Sequence, residues 1–256
     1  RTSTSRGDDT GAREESPAAP TDPALLAGSW LLIVLTAAAW SPACWYNMEK
    51  GGFFMDDAMI RRNPNVYEPL DWRRLMRTDY WGLEMFEEGV WTHKSFRPLA
   101  VLTFRLNYAW HTFDSSGFHI ANILAHALCS FLLGLFGRSS MQLPASWATL
   151  LAALFWAHPV HTENVLYIVG RADPLCFALI LLAALLYGPC IRGQVGLIGA
   201  VVRLLLSVLL LIAAGLCKEA GFCFFGLLAG WEILYGLLSS RIRWQWRRWF
   251  RLVALL

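Results

Sequence analysis

Long apolar runs separated by short polar connections dominate the pattern of hydrophobic and polar positions along the chain. A helix needs roughly 20 apolar residues to cross a bilayer, and most of the runs approach that length. The pattern therefore predicts an all-α fold, a polytopic membrane helix bundle. After a first span at 24–46, apolar runs occupy residues 118–137, 145–157, 174–190, 195–217 and 220–238. The short run at 145–157 must extend through polar neighbours or be buried in protein.

The remaining segments are polar or mixed. Residues 1–23 are acidic and rich in Ser, Thr and Pro, which predicts a disordered polar tail. Within the charged segment 47–97, apolar positions between Leu70 and Phe86 are typical of an interfacial amphipathic helix. The apolar pattern at 98–113 predicts a short helix that lies on the membrane or dips into it. We therefore expect a first loop that carries amphipathic helices.

Composition narrows the class of protein. Hydrophobic residues make up 56% of the chain and charged residues 16%, whereas ordinary soluble domains have about 45–50% and about 25%. The 13 Trp and 7 Tyr residues are typical of a protein with several membrane–water interfaces, so membrane lipid is an expected partner. A net charge of only +3 argues against a nucleic-acid partner. The 6 Cys residues show no metal or redox spacing, and we expect buried small hydrophobes.

Charge asymmetry predicts the orientation of the bundle. The segment 241–251 (RIRWQWRRWFR) contains Arg but no acid, and the positive-inside rule places it in the cytosol. We expect residues 239–256 to be an Arg/Trp-rich cytosolic segment that leads into a further span. Counting spans backwards places the first loop and the connections 158–173 and 217–220 on the opposite side, provided that 98–113 does not cross.

Two adjacent carboxylates follow the first span. Asp56 and Asp57 stand beside Phe53, Phe54 and Met55, where desolvation and the like-charged neighbour would raise a carboxyl pKa. Such a carboxylate can act as a general base toward a hydroxyl nucleophile. The alternative is a helix N-cap in front of the sequence AMIRR. The pattern leaves both interpretations open.

A second cluster combines cations with a helix start. His93, Lys94 and Arg97 precede Pro98, a residue type favoured at the first position of a helix. Arg offers a phosphate a bidentate fork, Lys a point charge, and the free amides of a helix N-terminus also favour an anion. We interpret the cluster as a site for a lipid phosphate. The alternative is snorkelling of the side chains to lipid headgroups.

A third cluster follows the 145–157 run. His158, His161 and Glu163 suggest a metal site, but Pro159 breaks the helical face that helical zinc sites use. Histidines satisfied at a helix end are the stronger alternative, and we predict no metal site here.

Further charged residues flank apolar runs. Arg171 and Asp173 lie at the mouth of the 174–190 span, where ionisable residues are costly and therefore functional candidates. Lys218 and Glu219 stand between two apolar runs. Such a pair is usually structural, but the expected orientation places it on the same side as the other clusters.

A polar stripe lies within the 118–137 span. His119, Asn122 and His126 follow each other at spacings of three and four, which places them on one helix face. We favour an interhelical hydrogen-bond seam as its function.

Seven motifs together resemble one family. In chain order they are DDAMI from Asp56, DYWG from Asp79, HKSFRPL from His93, FHIANILAH from Phe118, AHPVHTENV from Ala157, GRAD from Gly170 and KEAG from Lys218. Their order and spacing resemble the N-terminal membrane half of the transmembrane O-mannosyltransferases with tetratricopeptide repeats. The resemblance implies a partial GT-C-like transmembrane catalytic domain at 24–238 in the endoplasmic reticulum membrane, with a luminal active face. It also implies dolichyl-phosphate mannose as donor and cadherin-like β-sandwich proteins as acceptors.

The resemblance also implies roles for individual residues. In the GT-C class an acidic residue of the first luminal loop is the catalytic carboxylate, which here indicates Asp56 as base with Asp57 as its partner. The charge of the side chains in these motifs predicts five contacts to the donor phosphate, namely His93, Lys94, Arg97, Arg171 and Lys218. Site candidates of lower rank are His158, His161, Glu163, Asp173 and Glu219. We expect neither metal nor cofactor, because phosphate is a good leaving group.

The chain departs from the family pattern in one respect. No helix-pair repeat of about 34 residues is visible, so the acceptor stays open. Two other classes compete with the enzyme. A membrane scaffold of the endoplasmic reticulum that binds other membrane proteins would not need acids, histidines and cations gathered on one face. A transporter would carry ionisable residues at mid-membrane and repeated halves.

Overall fold

The computed structural model describes residue 46 and residues 51–238, with side chains as far as residue 235. The predicted tail at 1–23, nearly all of the span at 24–46 and the Arg-rich segment at 239–256 lie outside these residues. The described helices are α1 (Ala58–Arg62), α2 (Pro64–Tyr67), α3 (Trp72–Arg77), α4 (Pro98–His111), α5 (Ser115–Ser139), α6 (Ala145–Ala157), α7 (Thr162–Leu166), α8 (Ala172–Ile191), α9 (Leu197–Cys217) and α10 (Phe224–Leu238). Short 3-10 turns occupy Met55–Asp57, Pro159–His161, Ile168–Arg171 and Glu219–Cys223.

Three helical stretches in the described chain are long and apolar enough to cross a membrane. They are α5, α9 and Ile168–Ile191, which joins the last 3-10 turn before α8 to that helix. They confirm the spans predicted at 118–137, 174–190 and 195–217. The shorter apolar helices α6 and α10 complete an all-α membrane bundle, and residues 51–238 contain no β-strand.

The centre of the bundle is the close contact between α8 and α9. Ala183 and Ala214 are completely buried, and small residues of this kind let two helix backbones approach closely in a membrane. The Ser207 hydroxyl donates to the carbonyl of Ala183 at 3.0 Å. Tyr187 and Leu211 are also completely buried in this core. Packing and hydrogen bonding thus both hold this pair of helices together.

The outer faces of the long helices are apolar and open. Leu124 and Phe131 of α5 and Leu209 of α9 each expose more than 60% of their surface. Exposed apolar faces of this extent suit helices surrounded by lipid. Helix α4 (Pro98–His111) confirms the short helix expected at 98–113, although it ends two residues earlier, and Pro98 is its first residue.

Residues 51–97 form a cap over one end of the bundle. Ile60 of α1 and Val66 of α2 are buried together with Phe104 of α4, Phe118 of α5 and Ile168. This small apolar core fastens the cap to the ends of α4 and α5. The connections at 158–171 and 218–223 lie at the same end, because Val169 bonds to the cap and Glu219 bonds to Arg97.

The amphipathic helix predicted between Leu70 and Phe86 is wrong in its extent, because α3 ends at Arg77. Beyond it, the Asp79 carboxylate accepts hydrogen bonds from the backbone amides of Trp81 and Leu83, both at 2.9 Å. Gly82 adopts a φ of +84°, which glycine tolerates without a Cβ clash. These interactions turn the chain back on itself and end the helix early.

Candidate active site

The connection between α6 and α8 folds tightly against itself. A Cβ atom at Gly170 would lie 2.8 Å from the Cα atom of Asn164, a distance that real Cβ atoms do not adopt. Only glycine therefore allows the Ile168–Arg171 turn to pass so close to α7. The fold-back forms one wall of a cavity next to the cap.

This cavity has a volume of about 630 Å³, within the range of small-molecule sites. Its wall combines residues from the cap, the start of α4, the 162–170 connection and α8. Four of the sequence candidates line it, namely Asp56, Arg97, Glu163 and Asp173. Aromatic lining comes from Tyr80, Trp81 and Tyr167. The structure thus gathers carboxylates, a cation and aromatic rings from distant parts of the sequence.

The two adjacent carboxylates have different surroundings. Asp56 is exposed at the cavity wall and forms no ion pair with any residue between 51 and 238. Asp57 is 1% exposed and accepts a hydrogen bond from the backbone amide of Val169 at 2.8 Å. Burial raises the pKa of Asp57, while backbone hydrogen bonds oppose that rise. The helix-cap alternative is wrong for Asp57, because its side chain makes no cap hydrogen bond to α1.

Arg97 lies immediately before α4, and its side chain reaches the turn after α9. Its Nε atom donates to the carboxylate of Glu219 at 3.0 and 3.3 Å. The guanidinium carbon lies 5.0 Å from the centre of the Tyr80 ring, within cation–π distance. The ring and the carboxylate together fix the direction of this cation.

Lys218 pairs with Asp173 of α8 rather than with its sequence neighbour Glu219. Both side chains of this pair are about one-third exposed. We call the two pairs Arg97–Glu219 and Lys218–Asp173 the ion-pair wall. It ties the start of α4, the start of α8 and the turn after α9 together beside the cavity.

Arg171, predicted to contact the donor phosphate, is buried away from the residues that line the cavity. Its Nε atom donates to Asn122 Oδ1 at 2.7 Å, and another guanidinium nitrogen donates to the Phe118 carbonyl at 2.7 Å. A third hydrogen bond reaches the side chain of Asn107. We call Arg171 with these three partners the Arg171 seam. It joins α4, α5 and the start of α8, so the placement of Arg171 does not support a phosphate contact.

The polar stripe of α5 contributes to this seam. Asn122 also donates to the Tyr167 carbonyl at 2.7 Å, and His126 Nε2 lies 3.2 Å from the Trp156 carbonyl. For Asn122 and His126 these contacts confirm the predicted hydrogen-bond seam between α5 and its neighbours.

The remaining candidates stand apart from the cavity lining. His93 and Lys94 are exposed on the cap. His158 Nδ1 accepts from the backbone amide of Val160, and the His161 ring packs against Phe155 at 4.2 Å. Burial and two neighbouring histidines lower the pKa of His161 to about 4. Both histidines thus serve the local turn, and residues 51–238 contain no cluster of three His, Cys, Asp or Glu that could hold a metal.

Tyr80 is a site residue that the charge argument missed. It is buried, and its hydroxyl donates to the Val169 carbonyl at 2.7 Å. Burial raises the pKa of Tyr80 well above its ordinary value, so the hydroxyl stays protonated and donates. The only signal in the sequence was the DYWG motif, whose tyrosine carries no charge.

The chain is similar in sequence to several known proteins. The chain is 38% identical over 221 residues to the protein O-mannosyl-transferase TMTC4 of Homo sapiens, a match that covers 80% of this chain. It is 35% identical over 198 residues to the protein O-mannosyl-transferase TMTC3 of Mus musculus and 37% identical over 204 residues to TMTC1 of Homo sapiens. These matches cover 75% and 77% of the chain. The chain belongs to the TMTC family.

The chain corresponds to a part of the TMTC proteins. It spans 29% of human TMTC4, 20% of mouse TMTC3 and 22% of human TMTC1. No family model matches the chain, and no solved structure matches it significantly. Membership of the TMTC family agrees with the three apolar helices and with the resemblance carried by the seven motifs.

Proposed function

We propose that the full protein is an O-mannosyltransferase of the endoplasmic reticulum membrane. It transfers mannose from dolichyl-phosphate mannose to Ser or Thr of an acceptor protein on the luminal side. The observation that carries this proposal is the cavity, which combines the carboxylate of Asp56, without an ion-pair partner among residues 51–238, with the cation of Arg97. The names of the relatives support mannosyl transfer to protein. The donor and the luminal location rest on the family resemblance and the predicted orientation.

The proposed reaction is a single displacement with inversion. The acceptor hydroxyl attacks the anomeric carbon while Asp56 takes the hydroxyl proton. The bond between that carbon and the phosphate oxygen breaks, and its electron pair leaves with dolichyl phosphate. Arg97 and Lys218 stabilise the charge that develops on the departing phosphate. Neither metal nor cofactor takes part in this scheme.

The ion-pair wall supports phosphate binding by exchange of partners. Glu219 and Asp173 neutralise Arg97 and Lys218. A donor phosphate offers the same cations an equivalent acceptor, because charged hydrogen bonds to phosphate and to carboxylate are similar in strength. The isoprenoid chain would lie along the apolar outer faces of the helices. The acceptor is a protein, with a cadherin-like β-sandwich as the form that the resemblance implies.

The test is mannose transfer in microsomes that contain the full-length protein. Labelled dolichyl-phosphate mannose is supplied with β-sandwich acceptors, and wild type is compared with Asp56→Asn. Loss of a general base lowers the rate by about 10²–10⁴-fold, so we expect label in protein to fall by that factor in the variant. Asp114→Asn is the matched control, because Asp114 caps α5 and lies outside the cavity.

Undiminished transfer by Asp56→Asn would contradict its assignment as base. If wild type transfers nothing, binding of the donor decides between two explanations. Donor binding without transfer would indicate a wrong acceptor. Absence of donor binding would favour the rival function, a non-catalytic membrane scaffold.

A further inference from the structure

The backbone of one residue at the cavity, Val169, is held from both sides. The amide of Val169 donates to Asp57 at 2.8 Å, and its carbonyl accepts from the Tyr80 hydroxyl at 2.7 Å. Val169 belongs to the 3-10 turn that precedes α8 and is itself part of the cavity lining. Two separate segments of the cap therefore meet on a single residue of the turn.

Each of the two holding residues stands beside a residue of the proposed chemistry. Asp57 directly follows Asp56 in one 3-10 turn. The guanidinium carbon of Arg97 lies 5.0 Å from the centre of the Tyr80 ring. The backbone amide of Tyr80 donates to the Ser95 carbonyl at 2.7 Å. The position of the Asp56 carboxylate relative to Arg97 thus depends on a chain of contacts through Asp57, Val169 and Tyr80.

We propose that Asp57 and Tyr80 are positioning residues that clamp the backbone of Val169 on both sides and so set the spacing between Asp56 and Arg97. This inference rests on the proposed function. Neither residue touches substrate in this role. The side chain of Asp57 is buried and turned toward the turn, whereas Asp56 faces the cavity. Errors of about 1 Å in such spacing can cost about 100-fold in rate, so the clamp matters for turnover.

Because of the clamp, substitution by asparagine should have different effects on turnover at Asp56 and at Asp57. Asparagine keeps an oxygen that can accept from the Val169 amide, but it cannot take a proton from an acceptor hydroxyl. Asp57→Asn should therefore preserve the clamp, while Asp56→Asn removes the base. Leucine at position 57 has a similar size and no acceptor, so it breaks the clamp.

The experiment measures kcat and the KM for dolichyl-phosphate mannose in the full-length protein. We expect Asp57→Leu to lower kcat by about 30–100-fold, with the donor KM within about 3-fold of wild type. Asp57→Asn should recover kcat to within about 3-fold and keep the acid limb of the pH profile, because Asp56 is still present. Tyr80→Phe should lower kcat by about 10-fold. Tyr108→Phe is its control, since the Tyr108 ring packs on Phe113 outside the cavity lining.

Three outcomes would overturn the clamp. They are near-normal turnover in Asp57→Leu, near-normal turnover in Tyr80→Phe, and an Asp57→Asn variant as inactive as Asp56→Asn. The last result would make the charge of Asp57 as essential as that of Asp56, which a purely positioning role does not require.

A second readout is independent of transfer. Amide hydrogen exchange over residues 166–172 should accelerate in Asp57→Leu and stay at the wild-type rate in Asp57→Asn. Equal exchange in both variants would disprove the clamp even if the protein proved to be a scaffold. Inactive wild type with the expected exchange pattern would disprove only the proposed function.

Discussion

Two arginine-centred regions at the same end of the bundle contrast in burial. Arg171 is 2% exposed, and its partners in the Arg171 seam are amide and carbonyl oxygens of α4 and α5. Arg97 and Lys218 in the ion-pair wall are 21% and 30% exposed, and their partners are flexible carboxylates. A buried cation needs fixed partners, because desolvation makes an unpaired charge costly. A partly exposed ion pair costs little free energy to separate. Of the two regions, the wall is therefore the one whose cations can leave their carboxylates and bind a ligand instead.

The largest expected effect comes from breaking the seam. Arg171→Leu leaves several buried oxygens without donors, and each such group costs roughly 1–3 kcal/mol. We expect the variant to lose more than about 3 kcal/mol of stability and to melt far earlier in detergent. Arg192→Leu at the other end of α8 is the control, because Arg192 is only half-buried. A melting temperature for Arg171→Leu equal to that of the control would disprove the structural role.

The next effect concerns the wall, where binding should change and stability should not. Lys218→Met would remove the proposed charged hydrogen bond to the donor phosphate, an interaction worth about 1.5–3 kcal/mol. The donor KM should therefore rise by about 10-fold or more, while the melting temperature stays close to wild type. Lys94→Met on the exposed cap serves as the control. An equal rise in the donor KM for Lys94→Met would indicate that Lys94 also contacts the donor phosphate.

The smallest effect should follow from releasing a cation of the wall. Glu219→Gln removes the carboxylate that competes for Arg97, so the donor KM should fall by about 2–3-fold. Stability should change by less than about 1 kcal/mol, because the pair is partly exposed. Titration of donor binding measures the first quantity and thermal melting the second. A tenfold rise in KM would instead mean that Glu219 orients Arg97 for the phosphate.

The spans could be predicted from sequence because a bilayer imposes length and composition on every crossing helix. The end of α3 could not, since it depends on Asp79 capturing amides two and four residues ahead. Hydrophobic pattern records burial averaged over a helix. It does not record the hydrogen bonds of a single side chain.

The site was predictable in part for a related reason. Charge and motif order identified Asp56, Arg97, Glu163 and Asp173 as candidates, and the cavity brings these four together. Sequence could not show that Arg171 turns inward, because its partners in α4 and α5 lie 64 and 49 residues away. Nor could it reveal Tyr80, whose contribution is a neutral hydroxyl. Long-range geometry decided both cases.

The Arg97–Glu219 contact has a consequence for the order of events during synthesis. Its partners are 122 residues apart in the chain. At about 5–20 residues per second, Glu219 leaves the ribosome roughly 6–24 s after Arg97. Until then the cap and α4 have no partner from the turn after α9. The ion-pair wall therefore forms late, after the helices that precede this turn have been made, and a chain stalled before that turn carries Arg97 without the Glu219 carboxylate that fixes its direction.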